Sequence, residues 1–305
     1  MTTLSDQPVL ALQNVSKTFG SKENPIYAAR DINFGLYPGR TLALVGESGS
    51  GKTTVARLLM REYIPDAGQL TFRGAPVQGA SKASLRAYRS AVQMVFQDPF
   101  SSLNPTRTIH HHLSRPLHLH RPDLDRKGRE AAIIDLLARV QLDPARVLHK
   151  FPHELSGGMR QRISIARALA VNPQVIVADE PTSMLDVSVR LGILNLLNDM
   201  KSELGLALLY ITHDIATARF VAEDIMVMYA GQVVEWGDMD SVLTNPQHPY
   251  TRLLLAAVPD PDRRIDAAAP QNELARVEDI RAASARVQTE VQQIAPNHFI
   301  RKINL

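Results

Sequence analysis

Thr41-Leu-Ala-Leu-Val45, followed by Gly46-Glu-Ser-Gly-Ser-Gly51-Lys52-Thr53-Thr54, decides how the rest of the chain is read. The first part is a short apolar run suited to a buried strand. The second is a loop of glycines and small polar residues. From Lys52 onward the sequence is helix-forming, with Val55, Leu58, Leu59 and Met60 supplying an apolar face. Strand, loop and helix in that order are the context in which the pattern G-x-x-x-x-G-K-[ST] cradles phosphate. Backbone N–H groups must turn inward around the phosphate oxygens, and side chains at the glycine positions would obstruct them. The helix opening at Lys52 aims the positive end of its dipole at the same anion. Lys52 is long enough to reach the β- and γ-phosphates, and the Thr53 hydroxyl suits Mg²⁺.

Downstream, Val175-Ile-Val-Ala-Asp179-Glu180 places two acids at the end of another apolar run. Asp179 suits a Mg²⁺ held through water. Glu180 stands where a base orients or deprotonates an attacking water. Between these two stretches, Leu155-Ser156-Gly157-Gly158-Met159-Arg160-Gln161 opens a helix that continues through Ile163, Ala166 and Leu169. It makes a second anion-binding helix end. Strand-like runs also appear at Val9 to Phe19, Ile26 to Leu36, Gln174 to Ala178 and Leu206 to Ile211. Helical sequence from Val187 to Leu204 joins the last two, as in a parallel βαβ crossover. The proline-punctuated middle, about residues 98–165, reads as a helical insert with its strongest helix at Arg126 to Val140.

The 305 residues carry 34 Lys and Arg against 31 Asp and Glu, a net charge of +3 that is too small to argue for nucleic acid. A hydrophobic fraction of 45% and no cysteine describe a globular chain without disulfides, thiolate catalysis or cysteine-held metal clusters, in keeping with a reducing compartment. No apolar run approaches the roughly 18–20 residues that cross a bilayer. Met1 to Leu10 lacks a basic-then-apolar leader pattern. Any membrane role is therefore expected to run through a partner. His110, His111, His112, His118 and His120 crowd one short stretch. Consecutive residues point in different directions, so the run is read as a polar face of the insert rather than as a zinc site.

The Leu155–Gln161 stretch, lying between the phosphate loop and Asp179-Glu180, resembles the signature sequence of ATP-binding cassette (ABC) ATPases. Four further elements resemble the family's in family order. Gln97 matches the Q-loop glutamine that senses Mg²⁺ and the attacking water. Ser183-Met-Leu-Asp186 resembles the D-loop, with Met184 where Ala is commoner. His213 resembles the switch histidine that contacts the γ-phosphate. Phe19 stands at the adenine-stacking position, with Tyr27 a weaker candidate. The resemblance implies a P-loop NTPase α/β fold: a RecA-like core with an antiparallel β subdomain, an inserted helical subdomain and a C-terminal extension. It divides the chain into a nucleotide-binding domain, residues 1–240, with the helical insert at about 98–165, and an extension over 241–305. The ATP-binding residues it implies are Phe19 with Gly46, Glu47, Ser48, Gly49, Ser50, Gly51, Lys52, Thr53 and Thr54. The catalytic set is Glu180, His213, Gln97 and Lys52, and Thr53, Gln97 and Asp179 would hold Mg²⁺. Leu155, Ser156, Gly157, Gly158 and Gln161 would cover the ATP of an opposite subunit, with Asp186 nearby.

A narrower resemblance points to the oligopeptide/dipeptide importer branch. It rests on Asn245-Pro-Gln-His248-Pro249-Tyr250-Thr251-Arg252, on Gln97-Asp-Pro-Phe-Ser-Ser-Leu-Asn-Pro105, and on Ile294-Ala-Pro-Asn-His298. Some members carry an iron–sulfur cluster in this region, which a chain without cysteine does not hold. The branch implies an ATPase, using ATP and Mg²⁺, that drives solute import from the cytoplasmic face of the membrane. Its partners would be a second cassette (a homodimer or a heterodimer), two transmembrane permease subunits docking around Phe100 to Pro105 and, indirectly, an extracytoplasmic solute-binding protein. No nucleic-acid partner is expected. The rival reading is a single-cassette ATPase in a non-transport metabolic complex, such as one for phosphonate breakdown. Residues 260–305, beginning at Pro259-Asp-Pro261-Asp, read as a loosely packed appendage with a polar helix at Arg281 to Gln293.

Overall fold

The computed structural model describes residues 7–257 and 271–303, the side chains of 271–276 excepted. Residues 1–6 of the Met1 to Leu10 stretch and the Pro259-Asp-Pro261-Asp stretch lie outside the described residues. Among those described, the elements begin with β1 (Leu10–Gly20), β2 (Pro25–Leu36), β3 (Thr41–Val45), α1 (Lys52–Leu59), β4 (Ala67–Phe72) and β5 (Ala75–Pro76). Next come α2 (Lys82–Ala91), β6 (Val92–Val95), α3 (Ile109–His120), α4 (Arg126–Arg139), α5 (Pro144–Val147) and α6 (Gly157–Leu169). Then follow β7 (Val175–Asp179), α7 (Val187–Leu204), β8 (Ala207–Thr212), α8 (Ile215–Val221), β9 (Asp224–Tyr229) and β10 (Gln232–Asp238). The last are α9 (Met239–Thr244), α10 (Pro249–Ala256), α11 (Gln271–Ala285), β11 (Val291–Ala295) and β12 (His298–Arg301). No described helix is long and apolar enough to cross a membrane.

The chain divides into two compact units. The first contains residues 7–11, 35–41 and 71–210. Its β6 and β7 pair in parallel, Val92 with Val175 through Val95 with Ala178. Every residue of β7 is buried, as the continuous apolar run requires. Helix α6 packs on β6 and meets α3, α4 and α7. The core of this unit comprises Ile163, Ile165 and Leu169 of α6, Ile133 and Leu137 of α4, and Ile109, Leu113 and Leu117 of α3. Two arginines of α6 tie loops to this core. Arg167 donates to the Ser102 carbonyl at 2.5 Å, and Arg162 donates to the Val140 carbonyl at 2.9 Å.

The second unit contains residues 12–34, 42–70 and 211 onward. Here β3 runs parallel to β9, Leu42 opposite Asp224 and Val45 opposite Val227. The sheet continues antiparallel from β9 to β10, to β12 and to β11. The tail is therefore not the loose appendage its composition suggests. Strand β12 extends the sheet, His298 is 1% exposed, and Arg301 is 8% exposed. The polar helix ends at Ala285, not Gln293. Past that point the chain becomes β11, whose backbone pairs with β12. Cross-strand pairing overrides the helical preference of a polar segment.

The crowded histidines lie on α3 and face different ways. His110 meets Glu130 at 3.0 Å, His112 donates to the Asn104 carbonyl at 3.1 Å, and His120 pairs with the Ser90 hydroxyl at 2.7 Å.

Candidate nucleotide site

The phosphate loop belongs to the second unit. Gly51 adopts φ 110°, and a Cβ there would stand 2.2 Å from the Ala28 carbonyl oxygen, so only glycine fits. The turn after β9 grips the loop from its other side, Gly231 donating to the Ser50 carbonyl at 2.9 Å. Lys52 is 6% exposed and opens α1. Its ammonium donates to the carbonyls of Gly46 at 2.7 Å and Glu47 at 2.8 Å. Ser48, Gly49 and Thr53 are exposed, and Ser50 is buried. This unit also holds Phe19, half-buried on β1 in an edge contact with Tyr63 at 5.0 Å. Tyr27, 46% exposed, stacks under Arg30 at 4.2 Å. His213 is exposed just beyond β8, before Asp214, which caps α8 by accepting from the Ala216 N–H.

The carboxylates and the signature belong to the first unit. Asp179 ends β7 at 7% exposure. Glu180 follows with φ 45°, a left-handed conformation uncommon for a non-glycine residue and often found at functional positions. Its carbonyl accepts from the Ser183 N–H at 3.2 Å and from the Ser183 hydroxyl at 3.1 Å, which anchors the turn. The Gln97 amide donates to Glu180 Oε2 at 2.9 Å, joining residues 83 apart in sequence. The adjacent Asp98 accepts the Phe100 N–H at 2.7 Å, and that bond holds its carboxyl below the usual carboxylate range.

Ser156 is exposed and caps α6, accepting from the Met159 N–H at 3.4 Å. Gly158 allows α6 and α7 to approach, since a Cβ there would meet Val189 at 2.5 Å. Leu155 and Gln161 face inward instead. Gln161 is fully buried and donates to the Phe96 carbonyl at 3.4 Å. Asp186 occupies the N-cap position of α7.

Sequence reasoning assigned no role to the residues that hold the loop from the C-terminal side. The Glu47 N–H donates to the Tyr250 hydroxyl at 3.2 Å, and Arg281 pairs with the Glu47 carboxylate at 2.8 Å. These partners are separated by 203 and 234 residues, beyond any local pattern.

Comparisons with known proteins identify the family. The family profile described as ABC transporter matches residues 29–183, and that of the oligopeptide/dipeptide transporter C-terminal region matches residues 234–282. The chain is 41% identical over 314 residues to the glutathione import ATP-binding protein GsiA of Escherichia coli strain K12, covering 98% of this chain and 49% of that protein. GsiA of Salmonella paratyphi A is likewise 41% identical, over 316 residues. The chain thus spans about half the length of the curated relatives it matches. Among solved structures, the dimeric post-hydrolysis state of the ATP-binding cassette MJ0796 bound to ADP and Pi aligns with TM-score 0.67 and 31% identity. That alignment covers 75% of this chain and 98% of the cassette. The cbiO1 protein of Clostridium perfringens, part of the ABC transporter complex cbiONQ, aligns with TM-score 0.69 and 25% identity over 79% and 92% of the two chains.

Proposed function

The chain belongs to the ABC transporter family, and from that premise we propose that it is the ATP-hydrolysing subunit of an import system for peptides or a related small solute. The observation that carries this reading is the Gln97–Glu180 contact. A glutamate directly after a buried strand-end aspartate, oriented by a glutamine amide, is the arrangement that aligns a water for in-line attack. The C-terminal match to the oligopeptide/dipeptide transporters supports import of a peptide-like solute. It weighs against the metabolic-complex alternative.

In this mechanism Lys52 exchanges the Gly46 and Glu47 carbonyls for phosphate oxygens. His213 adds further stabilisation of the transferred charge. Glu180 takes or orients the proton of the attacking water while the Gln97 amide holds its carboxylate. Asp179 and Gln97 of the first unit, and Thr53 of the second, each offer a hard oxygen of the kind Mg²⁺ takes, and with its amide nitrogen committed to Glu180, Gln97 keeps its carbonyl oxygen for a cation. When bound with ATP, Mg²⁺ offsets the negative charge of the phosphates.

Ser156 and the N-terminal end of α6 would cover the nucleotide of a second cassette. ATP would then favour the closed pair, and cleavage of its terminal phosphate would release it. The partners are that second cassette, identical or different, and a transmembrane permease that brings the chain to the cytoplasmic face of the membrane. Glu180→Gln is expected to lower steady-state ATP turnover by about 10²–10⁴-fold while the Kd for ATP stays unchanged. Turnover at the original rate would remove Glu180 from its role.

A further inference from the structure

Two groups from the C-terminal segment converge on Glu47, the second residue of the phosphate loop. The Tyr250 hydroxyl accepts the Glu47 N–H at 3.2 Å, and Arg281 Nη2 donates to Glu47 Oε1 at 2.8 Å. Tyr250 is completely buried, with its ring 4.2 Å from that of Tyr229. Burial pushes its phenol well above the ordinary tyrosine range, so the hydroxyl stays neutral.

A connected set of buried bonds fixes the position of Tyr250. Its N–H donates to His248 Nδ1 at 3.1 Å, which leaves His248 Nε2 to donate to Gln288 Oε1 at 3.2 Å. Gln288 is itself held by Gln232 at 3.1 Å and by Arg301, which donates to its carbonyl at 2.8 Å. Glu235, wholly buried, accepts from His298 at 2.6 Å and from the backbone N–H groups of Gln247 and His248 at 2.8 and 3.0 Å.

We propose that Tyr250 and Arg281 are positioning residues for the phosphate loop, through which the C-terminal segment sets the affinity for nucleotide. The inference rests on the ATP reading given above. A phenylalanine ring would fill the same buried space, and what the hydroxyl adds among the described residues is its bond to the loop. Arg281 is half exposed, and an ion pair in that setting adds little to global stability. What the two share is a single target, the residue that leads into the phosphate-facing N–H groups. Held there, the loop enters nucleotide binding already shaped and loses less freedom when it closes on phosphate.

The test uses the full chain and Mg·ADP, which binds without turnover. Tyr250→Phe keeps the buried ring and removes the bond. It is expected to weaken Mg·ADP binding about fivefold by calorimetry, to raise KM for ATP by a similar factor and to leave kcat within about twofold. Amide exchange at residues 46–50, followed without nucleotide, should accelerate in the same variant. Arg281→Gln, at an exposed position that does not endanger folding, is expected to weaken binding about twofold, with the effect vanishing at high salt. An unchanged Kd in Tyr250→Phe, even with a lowered melting temperature, would reduce the contact to packing and overturn the inference alone. Failure of the unaltered chain to bind Mg·ADP would overturn the proposed function and this inference with it.

Discussion

The two units hold their candidate site residues by different means. In the unit built on β6 and β7, side chains set the geometry: Gln97 holds Glu180, Asp98 holds the Phe100 N–H, and Ser156 caps α6. In the unit built on β3 and β9, backbone does most of it. Gly51 lies against the Ala28 carbonyl, Gly231 grips Ser50, and Lys52 rests on two loop carbonyls. Exposed side-chain contacts rearrange at little cost. A loop set by backbone bonds and glycine conformations is already formed. The phosphate loop is thus shaped largely by backbone before any ligand arrives, whereas the contacts of Gln97, Asp98 and Ser156 remain adjustable.

The largest test of that contrast is Ser156→Arg. The change removes the cap of α6 and fills an exposed position that, in the proposed pair, would face the second cassette's nucleotide. ATP hydrolysis is expected to fall by roughly 100-fold or more, with nucleotide binding by the isolated chain intact. Loss of that binding would mean that the signature serves its own nucleotide and would erase the division between the units.

Next in size is Arg301→Ala, which acts only on the second unit. Arg301 donates to the carbonyls of Val233, Gln288 and Asp31 and to Asp31 Oδ2. Although burial alone would raise it, Arg301 together with Asn14 and Asn33 holds the Asp31 carboxyl below the usual range. Removing the guanidinium should lower stability by about 3 kcal/mol. The sole tryptophan, Trp236, stacks on Phe299 within this unit, so its fluorescence in urea reports the loss selectively. A tryptophan transition at the original midpoint would show that β12 is dispensable.

The smallest effect is acid sensitivity, shared by both units. Burial holds His112 in the first unit and His248 in the second below the ordinary histidine range. Both therefore favour the folded state in full above about pH 6.5, the unfolded value. That contribution fades as pH falls through the depressed folded values. Each histidine adds a slope of at most about 1.4 kcal/mol per pH unit. His248→Asn, assayed by thermal melting at pH 7 and pH 5, should flatten the dependence at Trp236 alone. An unaltered pH dependence there would assign the acid response to other groups.

Much of the fold was legible because its signals are local. The run Thr41–Val45 is β3 to the residue, Lys52 does open α1, and Val187–Leu204 is α7. Glycines and N-cap residues mark these ends. The candidate site was legible as motifs, but not the contacts that orient its side chains. Nothing near Gln97 in sequence announces Glu180, and nothing near Glu47 announces Tyr250. The tail was misread for the same reason. Arg286 to Gln293 is polar enough to continue a helix, and only the pairing of β11 with β12 makes part of it a strand. Gln161, read with the signature, is buried because α6 turns that side toward β6.

The bond from Arg301 to Asp31 closes a circuit of 270 residues. Contacts of such sequence separation form late, since the chain between them must first be brought into register. During synthesis, β10 waits with an unpaired edge until β12 emerges, an interval in which intermolecular pairing competes.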